Sequence, residues 1–331
     1  MRLNPFPRTG PHPLPWRPLG LMLLALLSLW GGCAQAGQTL RVGTNLWPGY
    51  EPLYLAQDIV QPGWDKAIRL VEYPSATEVL RAFRNRAIEA AGLTLDEALL
   101  LKQDGVPLRL VLVMDISQGA DVIIARPEIP DMAGLRGKRV AVESGALGAY
   151  VLTRALELHG LGLDEIDIAH LDVSSHRQAF VSGQVDAVVT FEPVRTQLLN
   201  AGGREVFSSR EIPGEVVDAL VVHEDFLQRQ PETVEQLIKG WFQALQLLQQ
   251  RPDEAAGLIG KRLKLSPREV LDSYAGLYLP SPADNLKLIG GPTPDLLKTL
   301  HKLRQLMRER NLLGDDVDLS QLLSADSLPV K

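Results

Sequence analysis

The 331-residue chain has one cysteine, Cys33, and it lies close to the amino terminus. The rest of the chain can therefore build neither a disulfide framework nor a cysteine-based metal site. Histidine is thin as well. The six histidines, at 12, 159, 170, 176, 223 and 301, stand singly, without H-E-x-x-H or paired-ligand spacing, and no metal is expected. The G-x-x-x-x-G-K-[ST] phosphate loop and the G-x-S-x-G nucleophile elbow are both missing, and Gly145 with Gly148 supplies only G-x-x-G. Nothing reads as a reaction centre, so no cofactor, no catalytic residue and no enzyme activity are expected. Basic residues are outnumbered, 34 against 40, for a formal charge of -6. That balance argues against nucleic acid as a partner. Aromatics make up only 5% of residues, so a cluster of them is informative.

The first 36 residues differ from the remainder. Arg2, Arg8 and Arg17 with no acid, then an apolar run from Leu19 to Trp30, then small residues, have the order of a secretory signal peptide. The run is too short for a comfortable membrane span. Ala34, Gln35 and Ala36 fit ordinary cleavage after Ala36. Gly31, Gly32 and Cys33 instead suggest cleavage before Cys33 and a lipid on that residue, although Trp30 departs from the usual aliphatic. Either way the protein is expected in the periplasm or cell envelope, lipid-anchored on the second reading. Loss of the first 32 residues removes three arginines and no acid, lowering the charge to -9.

The body alternates strand and helix. LRVGTNLWPGYEPLYLAQ (40–57) reads as a strand, then a turn carrying Trp47 and Tyr50, then a helix from Pro52. Strands follow at 67–73, 88–93 and 109–114, with helices at 75–86 and 95–103. From Gly119 the unit restarts, with strands at 122–125, 139–142, 168–171 and 185–190, and helices to 159, at 175–182 and at 193–200. A last strand, 219–223, precedes helices at 231–250, 252–264, 266–277 and 294–311. This alternation predicts α/β architecture with parallel sheets covered on both faces. Leu237, Trp241, Leu245 and Leu248 recur at helical spacing and read as core. The polar end, 315–331, reads as loosely held.

The two blocks match at a constant offset. Ala82, Phe83, Ile88, Glu89 and Ala90 correspond to Ala179, Phe180, Val185, Asp186 and Ala187, and each copy runs on to a threonine and an acid, Thr94 with Asp96 and Thr190 with Glu192. Two similar lobes are expected: 38–118 with 217–315, and 119–216. Polar and aromatic residues gather at the carboxyl ends of the expected strands, where open α/β sheets bind ligands. They are Asn45, Trp47 and Tyr50; Thr94 and Asp96; Asp115 and Ser117; Glu143 and Ser144; Thr190 and Glu192.

Three stretches carry a resemblance: RVGTNLWPGYEPLYLAQ (41–57), LRGKRVAVESGALGAYVLTRALE (135–157) and GQVDAVVTFEP (183–193). The chain resembles the periplasmic substrate-binding proteins of ABC importers for nitrate, sulfonates, taurine and thiamine-pyrimidine precursors. The resemblance implies a type II periplasmic-binding-protein fold, with two α/β lobes, two crossovers, C-terminal helices packed on the first lobe, and a monomer that closes on a small molecule. It places ligand contacts at Trp47 and Tyr50, at Thr94, from Glu143 through Ser144 and Ala146 to Leu147, and around Thr190 to Glu192. Two departures stand out. Arg86 replaces a common glycine, which the second copy keeps as Gly183, and Glu143 stands where anion-binding members offer serines.

Glu143 and Glu192 would oppose the anion preference of a helix N-terminus, and Trp47, Tyr50 and Phe191 could offer π faces to a cation or flat heterocycle. The expected ligand is neutral or cationic, a heteroaromatic one among the candidates, rather than a sulfonate; a sulfonate, taurine or nitrate-type anion is the alternative. The leading function is delivery of that ligand to a membrane ABC permease. A periplasmic sensor module for a membrane receptor is the second. An enzyme like the thiamine-pyrimidine synthases is the third, set against the missing cysteine motif.

Overall fold

A computed structural model of the protein describes Met1, Gly10 and residues 38–60, 64–143, 145–314 and 316–329. The expected signal segment, with Cys33 and both cleavage sites, lies outside the described residues, as does Ser144. No helix among the described residues is long and apolar enough to cross a membrane.

The first lobe begins with β1 (Leu40–Thr44), a single turn of 3-10 helix at Pro48–Tyr50 and α1 (Glu51–Leu55). β2 (Ile68–Glu72), α2 (Ala76–Arg84), β3 (Ala90–Thr94), α3 (Leu95–Gln103) and β4 (Leu108–Ser117) follow. The chain then crosses to β5 (Val122–Ala125), β6 (Arg139–Val142), α4 (Ala146–Leu158), β7 (Asp167–His170), α5 (Val173–Val181), β8 (Ala187–Thr190), α6 (Val194–Asn200) and β9 (Arg204–Ser208). It returns through β10 (Val217–His223) to α7 (Glu224–Arg229), α8 (Pro231–Gln250), α9 (Pro252–Leu263), α10 (Pro267–Tyr274), β11 (Leu277–Tyr278), α11 (Pro282–Ile289) and α12 (Leu296–Glu309). β9, α7, β11 and α11, all short, fall outside the elements expected from the sequence.

Two sheets result, in the orders β11-β4-β10-β3-β1-β2 and β7-β6-β8-β5-β9. They are mixed rather than parallel. β1 pairs in parallel with β2 and β3, but β10 is antiparallel to both β3 and β4, and β5 is antiparallel to β8 and β9. The cause is the crossovers: β5 and β10 each enter a sheet from the cleft side and so run against their neighbours.

β5 shows how the second sheet is covered on both faces. Val122 and Ile124 pack on one side with Phe180, Val188 and Leu198, while Ile123 and Ala125 pack on the other with Val140, Val189 and Phe207. Period-two alternation with both faces buried accounts for a continuous apolar run. The first lobe's core gathers Leu40, Phe83, Leu93, Val111 and Val221 with Leu237, Trp241, Leu245 and Leu248 of α8 and Leu300 of α12. The C-terminal helices therefore pack on the first lobe. The end of the chain is also held: Val317, Leu319, Leu322 and Leu328 are buried, and Leu110 receives and donates backbone hydrogen bonds with Ser324 and Leu322. Spaced leucines within a polar segment supply the anchoring that its composition conceals.

The internal match extends to atoms. Glu89 accepts the backbone N–H of Arg41 at 2.9 Å, and Asp186 accepts that of Arg139 at 2.9 Å. After α2 and α5 the chain turns through left-handed residues at corresponding positions, Arg86 (φ 57°) and Gly183 (φ 83°). Arg86 holds the glycine-type conformation at a cost of about 1–2 kcal/mol. The departure from glycine thus leaves the backbone path unchanged.

Candidate functional site

The connection between the lobes is held by serines. Ser117 and Ser209 hydroxyls lie 2.7 Å apart, Gly119 N–H donates to Ser209 Oγ at 2.7 Å, and Asp121 N–H donates to Ser117 Oγ at 3.2 Å. Asp121 follows on the first crossover, so its carboxyl projects from the hinge into the cleft.

Two adjoining chambers of about 30 and 20 Å³ lie between the lobes. A ligand of more than a few heavy atoms therefore enters only when the lobes part. The smaller is lined by Asn45, Trp47, Tyr50, Thr94 and Asp218, the larger by Glu143, Leu147, Val151, Val173, Val189 and Thr190. Ala76, Glu97, Asp121, Leu147 and Phe191 line both.

The aromatic turn depends on two glycines. A Cβ on Gly49 would sit 1.9 Å from Asp115 Oδ2 and 2.3 Å from Trp47 Nε1, and one on Gly92 would meet the Tyr50 ring at 2.9 Å. Their absence lets Trp47 Nε1 donate to Asp115 at 3.2 Å and lets the Tyr50 hydroxyl donate to Asp218. From the other lobe Phe191 meets Trp47 edge to face, with centroids 5.3 Å apart. Glu143 also reaches across, its Oε1 accepting Thr77 Oγ1 at 2.8 Å and Thr77 N–H at 3.0 Å. It caps the first lobe's α2 rather than its own helix, which combines a lining role with a cross-lobe tie.

The carboxyls here are shifted upward, chiefly by burial. Asp115 and Asp218 stand opposite one another across the antiparallel β4–β10 pair. Burial pushes Asp115 up to about 7 against the Trp47 hydrogen bond, and burial together with the Asp115 charge raises Asp218 well above the carboxylate range. Burial also lifts Asp121 to about 7, eased by Ser117, and Glu97 to about 8, with Asp96 adding repulsion. Asp121 Oδ2 and Asp115 Oδ1 are buried without a hydrogen-bond partner. Among the described residues no lysine, arginine or histidine lines either chamber, and no group of three His, Cys, Asp or Glu is arranged to hold a metal ion.

Of the residues expected at the site, Asn45, Trp47, Tyr50, Thr94, Glu143, Leu147 and Thr190 line the chambers. The Thr190 hydroxyl lies 3.4 Å from Nδ1 of His176, which burial keeps neutral by lowering it to about 4. Ala146 stands at the start of α4. Three others do not line the chambers. Asp96 is buried behind Thr94 and lifted to about 6 by burial. Ser117 belongs to the hinge. Glu192 caps α6, accepting Thr196 N–H at 3.1 Å and Thr196 Oγ1 at 2.9 Å, and pairs with Arg195 at 3.1 Å. Its charge is spent locally, so it does not oppose an anion in the cleft. Asp121, Glu97, Asp218 and Ala76 also line the chambers, outside the set expected from the sequence.

A model of the NMT1-like family matches residues 34–261. An Escherichia coli K12 protein named for binding aliphatic sulfonates is 24% identical over 212 residues, 63% of this chain and 66% of the relative. The match thus spans just under two thirds of that relative's length. The crystal structure of the periplasmic aliphatic sulphonate binding protein from Escherichia coli superposes with a TM-score of 0.70 at 20% identity, over 86% of this chain and 97% of the other. The desulfurization enzyme DSZB superposes with a TM-score of 0.63 at 18% identity, over 87% and 97%. These structural likenesses establish the fold.

Proposed function

Because the chain belongs to the NMT1-like family and has the type II periplasmic-binding-protein fold, we propose that it is a periplasmic solute-binding protein that captures a small cationic molecule between its lobes for a membrane ABC importer. The observation that carries the cationic reading is the acidic composition of the walls. Glu97, Asp121, Glu143 and Asp218 line the chambers and no basic residue does, among those described. A sulfonate there would find carboxyls in place of counter-charges, whereas an ammonium or protonated heterocycle would pair with them and stack on Trp47, Tyr50 or Phe191. Protonated carboxyls are ready to ionise beside a cation, since an adjacent opposite charge lowers a carboxyl pKa.

A sulfonate or taurine ligand is the second reading. The name of the Escherichia coli relative favours it, as does the start of α4, whose Gly145 and Gly148 backbone lines the larger chamber. A sensor module remains a third use of the same cleft, distinguished by its membrane partner.

Native mass spectrometry of protein recovered from the envelope of its own cells tests the proposal. A retained amine or protonated heterocycle is the expected mass; a retained sulfonate contradicts the cationic reading and leaves the binding function standing.

A further inference from the structure

We infer that the cleft sorts its ligand by polarity, seating one nitrogen cation against Asp121 at the hinge and a short apolar substituent between Leu147, Val151, Val173 and Val189 of the second lobe. The inference rests on the cationic reading above and narrows it to monoamines with a compact apolar group.

Asp121 is the seat for three reasons. It lines both chambers, it is 3% exposed, and its Oδ2 has no hydrogen-bond partner. A buried carboxylate oxygen without a donor is costly, and an ammonium N–H would satisfy it. The other acids are more committed. Asp218 accepts from Tyr50, Glu97 Oε2 accepts the Thr94 N–H at 3.0 Å, and Glu143 holds Thr77.

Beyond Asp121 the larger chamber turns apolar. Leu147, Val151, Val173 and Val189 offer no donor or acceptor side chain, and the Thr190 hydroxyl is shared with His176. A second ammonium at that end would lose its water without a free carboxylate, unless it drew Glu143 away from Thr77 and loosened the lobes. A diamine is therefore disfavoured against a monoamine of equal length. A branched substituent of three or four carbons would take up the valine wall and gain from burial.

Calorimetric titration of the full chain at pH 8 decides this, with ammonium chloride, isobutylamine, 1,4-diaminobutane and propanesulfonate as probes at millimolar concentrations. The expected order is isobutylamine first, with ammonium and the diamine each at least about tenfold weaker, a difference of about 1.4 kcal/mol. Asp121→Asn should weaken isobutylamine by about tenfold or more. Val173→Thr, which places a hydroxyl at a partly buried position of the apolar wall, should weaken isobutylamine severalfold. Equal binding of ammonium and isobutylamine, tightest binding by the diamine, or an unaffected Asp121→Asn variant would each overturn the inference and leave the cationic reading standing. No heat from any amine would overturn the inference, and with binding of propanesulfonate it would overturn the cationic reading beneath it as well.

Discussion

Glu143 of the second lobe accepts two hydrogen bonds from Thr77 of the first, at 2.8 and 3.0 Å, and so closes the cleft by capping a helix it does not belong to. Hydrogen bonds to a charged group contribute about 1.5–3 kcal/mol when well made. Glu143→Ala should therefore favour the parted arrangement of the lobes and weaken ligand affinity by about tenfold or more. Small-angle scattering at saturating ligand checks it: the variant should show a larger radius of gyration than the parent. Identical curves and affinities would mean that the contact does not govern closure.

Trp47 is both wall and core. At 4% exposure it packs in the first lobe's cluster while its Nε1 donates to Asp115. Trp47→Ala should lose binding but also about 3–5 kcal/mol of stability from the cavity, so it cannot separate the two roles. Trp47→Phe keeps most of the volume and removes the donor. Its midpoint in denaturant should fall by an amount equivalent to about 1–3 kcal/mol, with weaker ligand binding. A variant with full stability and full affinity would place Trp47 outside the site.

Gly49 allows Asp115 and Trp47 to approach the turn. A Cβ there would lie 1.9 Å from Asp115 Oδ2, and the carboxyl, held in the β4–β10 pair, has little freedom to retreat. Gly49→Ala should destabilise the protein by about 1–3 kcal/mol through overpacking, seen as a lower thermal midpoint, while Gly137→Ala would strain only the backbone, since nothing lies within 4 Å of its Cβ position.

The buried carboxyls give the protein a dependence on pH with a definite sign. Asp115 and Asp121 at about 7, Glu97 at about 8 and Asp218, raised well above the carboxylate range by burial, hold protons that the unfolded chain releases at lower pH. The folded state therefore binds more protons, and stability falls as pH rises through this range. Between pH 8 and 6.5 the thermal midpoint should rise on acidification. Below that, His176, lowered to about 4, opposes the trend as the unfolded histidine charges. A cationic ligand should do the reverse, binding more tightly at pH 8 than at pH 6.5 because it pairs with the ionised carboxyls. A midpoint flat between pH 8 and 6.5 would contradict the shifts.

The legible parts of the site were those carried by local pattern. Trp47 and Tyr50 follow a strand in a chain poor in aromatics, and Thr94 and Thr190 close matching strands in an internal repeat. The parts that stayed hidden depend on distant pairing. Asp218 reads as one acid beside a late strand, and only the antiparallel return of β10 brings it opposite Asp115 and under Tyr50. Asp121 lies between small and apolar residues at a crossover whose position no local periodicity marks. Glu97 was available as the partner in a Thr94–Glu97 helix cap, a signal that points to structure and conceals its place in the wall. Glu192 is the converse: its acid stands at a strand end, where ligand contacts gather, yet Arg195 and Thr196 on the following turn engage it.

The sign of the ligand's charge is the centre of this account, and thermal denaturation at pH 8 with matched pairs of an alkylamine and the corresponding alkylsulfonate tests it most directly. The predicted result is a rise in midpoint that grows with amine concentration, as expected for a ligand bound only by the folded state, and none with the sulfonate. Stabilisation by the sulfonate with none by the amine would contradict it.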